Sequence, residues 1–307
     1  MDTKETIFSA PGKIILFGEH AVVYGYPAIV SAINLKTKCI IKESHLNEVQ
    51  LSISSNYLLS KSSDSNMLNY IINHENREFE PKTKVSQRSV NPAYYFIVEK
   101  ILNMTTSQKS PFIHIDSEIP PGIGLGSSAA NAVAVIASLS SFMNINLSLA
   151  ELNEFAFEAE KIIHGKPSGV DNTVSTYGGI QHYKQKKFTK LSVPDIDTHI
   201  VIVNSGIQRN TKHYIEKVAD LMEENPEKYQ NILEQIGKLT LNAKSSLLKG
   251  EVKELGNRMK QNHLLLNELG VGHPILDELV DSLDHYGSLG SKLTGAGGGG
   301  CIISLFE

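Results

Sequence analysis

Between Ile119 and Asn131 the chain reads Ile-Pro-Pro-Gly-Ile-Gly-Leu-Gly-Ser-Ser-Ala-Ala-Asn. Gly122, Gly124 and Gly126 alternate with apolar residues, Ser127 and Ser128 follow, and a helix-forming run extends from Ala129 to Phe142. Glycine lets a backbone turn its N–H groups inward, and the start of a helix carries partial positive charge. Together they make a cradle for phosphate. The same residues also read as a tight turn before a buried helix. The preceding run, Pro111 to Ser117, alternates as a strand does, so the stretch has the strand–loop–helix setting that a cradle needs. It is not a Rossmann turn, because Ser127 stands where the third glycine belongs. It is not a Walker loop either, because no Gly-Lys-Ser/Thr closes it.

A chain of 307 residues has room for two domains. Its hydrophobic share of 41% and charged share of 20% are those of an ordinary globular protein. A net charge of -4 argues against nucleic acid or an anionic membrane as partner, so any phosphate site must be local. Cys39 and Cys301 sit in apolar runs and read as buried thiols of a reducing compartment. Neither a signal-peptide pattern nor a membrane-length apolar run occurs, so the cytoplasm is the expected location.

In chain order, Lys13 opens the apolar strand Ile14 to Phe17, and Glu19 and His20 stand just past it. This charged trio reads as the lining of a cleft, with surface-loop polarity as the alternative. Strands are expected over 7–10, 37–43 and 49–53, the run 28–33 is apolar and rich in small residues, and a polar excursion or lid is expected over 54–90. Pro92 to Leu102 has helical spacing. Leu147 to His164 is a second helix, with Ser148 and Glu151 at capping-box spacing and Leu149, Leu152, Phe155 and Ile162 expected to face inward. Glu160 falls near its end, where the helix dipole disfavours a carboxylate. It is either solvated or held by a cation. Pro167 ends that helix, and Asp171 lies in the first turn of the next, which suits a functional carboxylate or a plain helix-start Asp. Residues 181–195 are polar and Lys-rich and read as a link between halves. Helices follow from Thr211 to Tyr286, with breaks near Pro226, Gly250 and Gly270 to Pro274. The tract Gly295 to Gly300 is bounded by apolar residues, so it reads as a rigid turn and not as a linker.

Three stretches, 11–25, 120–130 and 292–300, resemble in order the signature motifs of the galactokinase, homoserine kinase, mevalonate kinase and phosphomevalonate kinase superfamily, the GHMP kinases. Two details resemble its mevalonate kinase branch. These are Gly18-Glu-His-Ala-Val-Val-Tyr-Gly25 and the run His164-Gly-Lys-Pro-Ser-Gly-Val-Asp-Asn up to Gly179. A galactokinase would carry a Thr/Asp pair after Gly-Glu-His, which is absent. The resemblance implies an α+β protein of two domains. These are a nucleotide-binding N-terminal domain of ribosomal-protein-S5-like type over 1–185 and a helix-rich C-terminal α+β domain over 186–307. Family members usually continue past the third motif with a further helix and strand, so the C-terminal domain reads as short at its end.

The resemblance also implies roles. Residues Gly122, Ile123, Gly124, Leu125, Gly126, Ser127 and Ser128 would form the phosphate loop, with Lys13, Ser117 and Gly297 as further ATP contacts. Ser128 and Glu160 would hold Mg²⁺. Glu19, His20 and Thr211 would contact mevalonate. Asp171, assisted by Lys13, would orient the hydroxyl and accept its proton late. The reaction implied is ATP-dependent phosphorylation of (R)-mevalonate to 5-phosphomevalonate, a step of isoprenoid and sterol precursor biosynthesis. A homodimer and feedback inhibition by isoprenoid diphosphates are further family expectations. The rivals are another small-alcohol kinase such as phosphomevalonate kinase, which needs extra cationic residues, and a non-catalytic sensor, which would lack Lys13, Asp171 or a metal ligand.

Overall fold

Burial alternates strictly along Pro111–Ser117, with Ile113 and Ile115 fully buried, which is the mark of a strand with one covered face. The computed structural model describes residues 5–44, 49–55, 67–73, 78–81, 91–165, 167–185 and 187–307. Within them the chain forms two units: 1–13, 33–121 and 125–178 in the first, 14–32, 122–124 and 179–307 in the second. It passes from one to the other inside β1 (Thr6–Phe17) and inside β2 (Ala28–Glu43).

In the first unit, β6 (Pro111–Ser117) runs antiparallel to β2, with Thr37 opposite Ser117, and parallel to β3 (Gln50–Ser55). Two further antiparallel strands, β4 (Met67–Asn73) and β5 (Glu78–Pro81), arise in the stretch expected to be an excursion. Apart from Ser54 and Ser55, which end β3, the remainder of 54–90 lies outside the described residues. Helices α1 (Pro92–Asn103), α2 (Ser127–Phe142), α3 (Leu149–His164) and α4 (Val170–Tyr177) pack on one another, and α2 also packs on β6. Small side chains let α2 bury nearly its whole circumference: Ala129, Ala130, Ala132, Ala134, Ile136 and Ser138 are all buried. The capping box at α3 forms as expected: Ser148 accepts from the Glu151 N–H, and the Glu151 carboxylate accepts from the Ser148 N–H at 2.8 Å. Its inward face differs from expectation. Leu152 and Phe155 are buried, but Leu149 is 57% and Ile162 42% exposed. The buried stripe instead follows Phe155, Ala156, Ala159 and Glu160, the helical spacing that carries a carboxylate inside.

In the second unit, residues 181–195 do not form the expected link. They build most of a hairpin of β7 (Ile180–Lys184) and β8 (Lys187–Leu191), and β7 pairs with the start of β2. The Lys-rich composition hides a two-residue alternation in which Gln181 and Tyr183 are buried, with the Tyr183 and Phe188 rings 4.6 Å apart. A second sheet runs in the order β10 (Gly290–Thr294), β11 (Cys301–Phe306), β9 (His199–Asn204). Helices α5 (Thr211–Glu224), α6 (Pro226–Lys249), α7 (Val252–Glu268) and α8 (Pro274–His285) break at the expected places. Pro226 is the first residue of α6, and Gly250 ends it at φ 71. Their apolar faces share a core that includes Leu233, Ile236, Leu266, Leu276, Leu293 and Ile302. No described helix is long and apolar enough to cross a membrane.

Gly256 sets how closely α7 approaches the chain entering β10, because a Cβ there would lie 2.5 Å from the Leu289 carbonyl oxygen. Gly→Ala inside a helix normally stabilises. Here overpacking against backbone reverses the sign, and Gly256→Ala is expected to cost about 1–3 kcal/mol in urea unfolding. A more stable variant would show that the approach is not tight.

Candidate active site

The glycine loop follows from its backbone. Gly122, Gly124 and Gly126 have φ of 79°, 86° and 75°, the region that glycine enters without strain. Gly126 caps α2 and offers no side chain, so no capping group takes up the helix's first N–H groups. Donors at a helix start of this kind suit an anion. The missing Cβ of Gly126 also leaves a passage for Lys13, whose Cγ would be 2.9 Å from it. The Lys13 backbone N–H donates to the Leu125 carbonyl at 2.8 Å.

Lys13 therefore passes the loop and ends at Asp171, with Nζ 3.2 Å from Oδ1. The lysine side chain is 5% exposed and the aspartate 35%, so the pair is dry on one side and reachable on the other. Asp171 lies in the first turn of α4, and one turn later Ser175 donates to the Pro11 carbonyl at 2.9 Å, fixing α4 to the strand that carries Lys13. Ser117 is buried, and its hydroxyl accepts from the Ile119 N–H and bonds Thr37, which donates to Asn131 of α2. These bonds hold the entry of the loop to the first turns of α2.

Glu160 is 3% exposed, and its Oε1 has no hydrogen-bond partner. Burial, reinforced by the negative charge of Asp171, pushes its carboxyl up to about 7, against the opposing pull of the Ser128 hydroxyl and Lys13. An inward carboxylate with a vacant oxygen is the donor a divalent cation takes, and Ser128 adds a hydroxyl beside it. Oxygen donors in this number fit Mg²⁺, which keeps water and nucleotide oxygens as its other ligands. The His164 ring also belongs here. Its Nε2 is 3.3 Å from Ser128 Oγ and 3.6 Å from Glu160 Oε2.

In the second unit, Glu19 and Lys292 form a buried, hydrogen-bonded ion pair. Lys292 also donates to the Leu293 carbonyl at 2.8 Å. Burial pulls its ammonium pKa below the usual lysine value, and the Glu19 charge opposes that shift. His20 has φ 57° and donates from Nε2 to the Ala296 carbonyl at 2.9 Å. Burial lowers its pKa, the Ala296 bond raises it, and the Arg209 charge adds to the lowering, so the neutral ring is favoured. Thr211 is exposed at the start of α5, behind the Asn210 cap.

The glycine tract approaches the loop closely in this unit. A Cβ on Gly300 would lie 3.3 Å from the Ile123 carbonyl oxygen, and a Cβ on either Gly124 or Gly295 would lie 2.1 Å from Arg209 Nη1. Gly297 is packed otherwise: its Cβ would meet the Val271 carbonyl at 2.1 Å. Sequence reasoning gave no role to Arg209, Lys292 or His164. The available signals were a single arginine in a Gly/Asn/Thr loop after a strand, a lysine inside an apolar strand, and a histidine four residues after a buried glutamate.

The family of GHMP kinases N terminal domains matches residues 91–179, and that of GHMP kinases C terminal matches residues 243–307. Fold and site together thus define a GHMP kinase. The Pyrococcus horikoshii mevalonate kinase is 37% identical over 308 residues, covering 98% of this chain and 89% of that protein. The mouse mevalonate kinase is 32% identical, covering 100% and 87%. The Methanococcus jannaschii mevalonate kinase structure superposes with a TM-score of 0.82 at 30% identity, covering 100% and 92%. The L. major mevalonate kinase in complex with R-mevalonate gives 0.81 at 28% identity, covering 99% and 87%. The chain belongs to the mevalonate kinase family, whose members phosphorylate an alcohol.

Proposed function

We propose that the protein transfers the γ-phosphoryl group of ATP to the 5-hydroxyl of (R)-mevalonate, giving 5-phosphomevalonate and ADP. The observation that carries this reading is the Lys13–Asp171 pair beside the glycine loop and the α2 N-terminus. Phosphoryl transfer needs positioning and charge stabilisation more than covalent chemistry. The N–H groups of residues 122–128 bind phosphate oxygens, where charge develops on the leaving group. Asp171 orients the hydroxyl and accepts its proton late, and Lys13 stabilises the alkoxide character. Glu19, His20 and Thr211 contact mevalonate, Lys292 holds Glu19 in place, and Ser117 and Gly297 support the nucleotide. Arg209, against Gly124 and Gly295, supplies positive charge to the phosphates.

Ser128 and Glu160 would hold Mg²⁺, which would supply positive charge to the nucleotide phosphates. Glu160→Gln is expected to raise the Mg²⁺ concentration needed for half-maximal rate, and an unchanged Mg²⁺ titration would exclude Glu160 as a ligand. An ADP-release assay with mevalonate, phosphomevalonate, galactose and homoserine tests the function as a whole. Turnover is expected with mevalonate alone; a preference for another alcohol, or binding without turnover, would overturn the reading.

A further inference from the structure

We propose that His164 is a third protein donor at the cation position of Ser128 and Glu160, and that its imidazole biases that position toward transition dications over Mg²⁺. The inference rests on the reading that Ser128 and Glu160 hold the divalent cation. Glu160 and His164 are one turn apart on α3, so their side chains leave the same face. His164 is the last residue of that helix, and Gly165 ends it. The final carbonyls of a helix carry partial negative charge, which favours a cation nearby.

The distances carry the argument. Adjacent ligands of an octahedral ion, each about 2.1 Å from the metal, lie about 3 Å apart. His164 Nε2 is 3.3 Å from Ser128 Oγ and 3.6 Å from Glu160 Oε2, close to such an edge on both sides. Both Glu160 and Ser128 face this ring nitrogen, and the Glu160 carboxylate keeps a second oxygen, Oε1, without a partner. A hydroxyl, a carboxylate and an imidazole nitrogen therefore lie within a ligand-to-ligand distance of one another. Mg²⁺ prefers oxygen throughout, whereas imidazole is a good ligand for the first-row transition dications.

The test uses uniformly ¹⁵N-labelled full-length protein with Mn²⁺ and ADP, read by electron spin echo modulation. A ¹⁵N coupling of directly bound imidazole is expected in the wild-type protein and is expected to vanish in His164→Ala and His164→Asn. Paired titrations of free Mn²⁺, with and without competing Mg²⁺, should show the Mn²⁺/Mg²⁺ affinity ratio falling about tenfold or more in both variants, the range in which changes around a metal ligand act. A wild-type Mn²⁺ complex lacking the ¹⁵N coupling overturns the inference and leaves the Ser128–Glu160 reading intact. An unchanged ratio in a folded variant does the same. Mn²⁺ binding that is equally tight in Glu160→Gln overturns both, and so does failure of the wild-type protein to bind Mn²⁺ with ADP. The wild-type measurement needs no variant, so it stands even if both substitutions disturb α3.

Discussion

Asp171→Asn is expected to lower kcat by about 10²–10⁴-fold, the range of general-base assistance, with little change in the KM for ATP. Asn keeps the shape and one hydrogen-bonding oxygen for Lys13 but loses the charge that accepts a proton. Lys13 is held from two directions, by its backbone bond to Leu125 and by the Asp171 carboxylate at 3.2 Å. The backbone bond survives the substitution, so the loop and its N–H groups keep their places, and nucleotide binding changes little. In a loose transition state the hydroxyl proton leaves late, so the loss falls on kcat and not on binding. Steady-state rates over both substrates check this. Near-normal kcat would remove Asp171 from the chemistry, and a loss confined to ATP KM would make the pair a nucleotide-binding device.

Lys292→Met is expected to destabilise the protein by about 3–5 kcal/mol, because it leaves the Glu19 carboxylate buried without its ammonium. The double variant Lys292→Met with Glu19→Leu should regain most of that stability, since a buried ion pair replaced by apolar groups of similar volume is often near neutral. Activity should follow a different course. If Glu19 contacts the acceptor, turnover of mevalonate stays low in the double variant although the fold is restored. Urea unfolding of the three proteins, with assays on the same preparations, separates the two effects. A single variant as stable as the wild type would show that the pair contributes nothing as a pair. A double variant with full activity would free Glu19 from any role toward the substrate.

The parts legible in the sequence were those whose chemistry is local. A glycine at positive φ, a serine at a helix start, an Asp in a first turn and a capping box are each decided within a few residues, and the helix breaks at Pro226 and Gly250 are of the same kind. Glu160 stood out because a carboxylate near a helix end is electrostatically awkward, and its burial accounts for that position. What escaped was decided by partners far along the chain. Lys292 meets Glu19 across 273 residues, and nothing near either residue announces the other. Arg209 acquires meaning only from the two glycines that leave room for it. The hairpin of β7 and β8 was hidden because lysines on its outer face outweighed the few inward residues that define its period. Leu149 and Ile162 misled for the opposite reason: an apolar residue on a helix face says nothing about whether another element covers it.

The wrapping of α2 has a consequence for how the protein responds to ionic strength. The positive end of a helix dipole acts within the first turn and is weakened there by mobile ions. Here the flanks are alanine, valine and isoleucine sealed against neighbouring helices and β6, where salt does not enter. The attraction that the half-buried Ser127–Ser128 end exerts on an anion belongs to the backbone and not to a titratable side chain. Surface ion pairs such as Lys212–Glu216, whose side chains are 85% and 60% exposed, fade as salt rises. The helix end loses less, because only its open first turn meets the salt while the rest of the helix lies in the sealed interior.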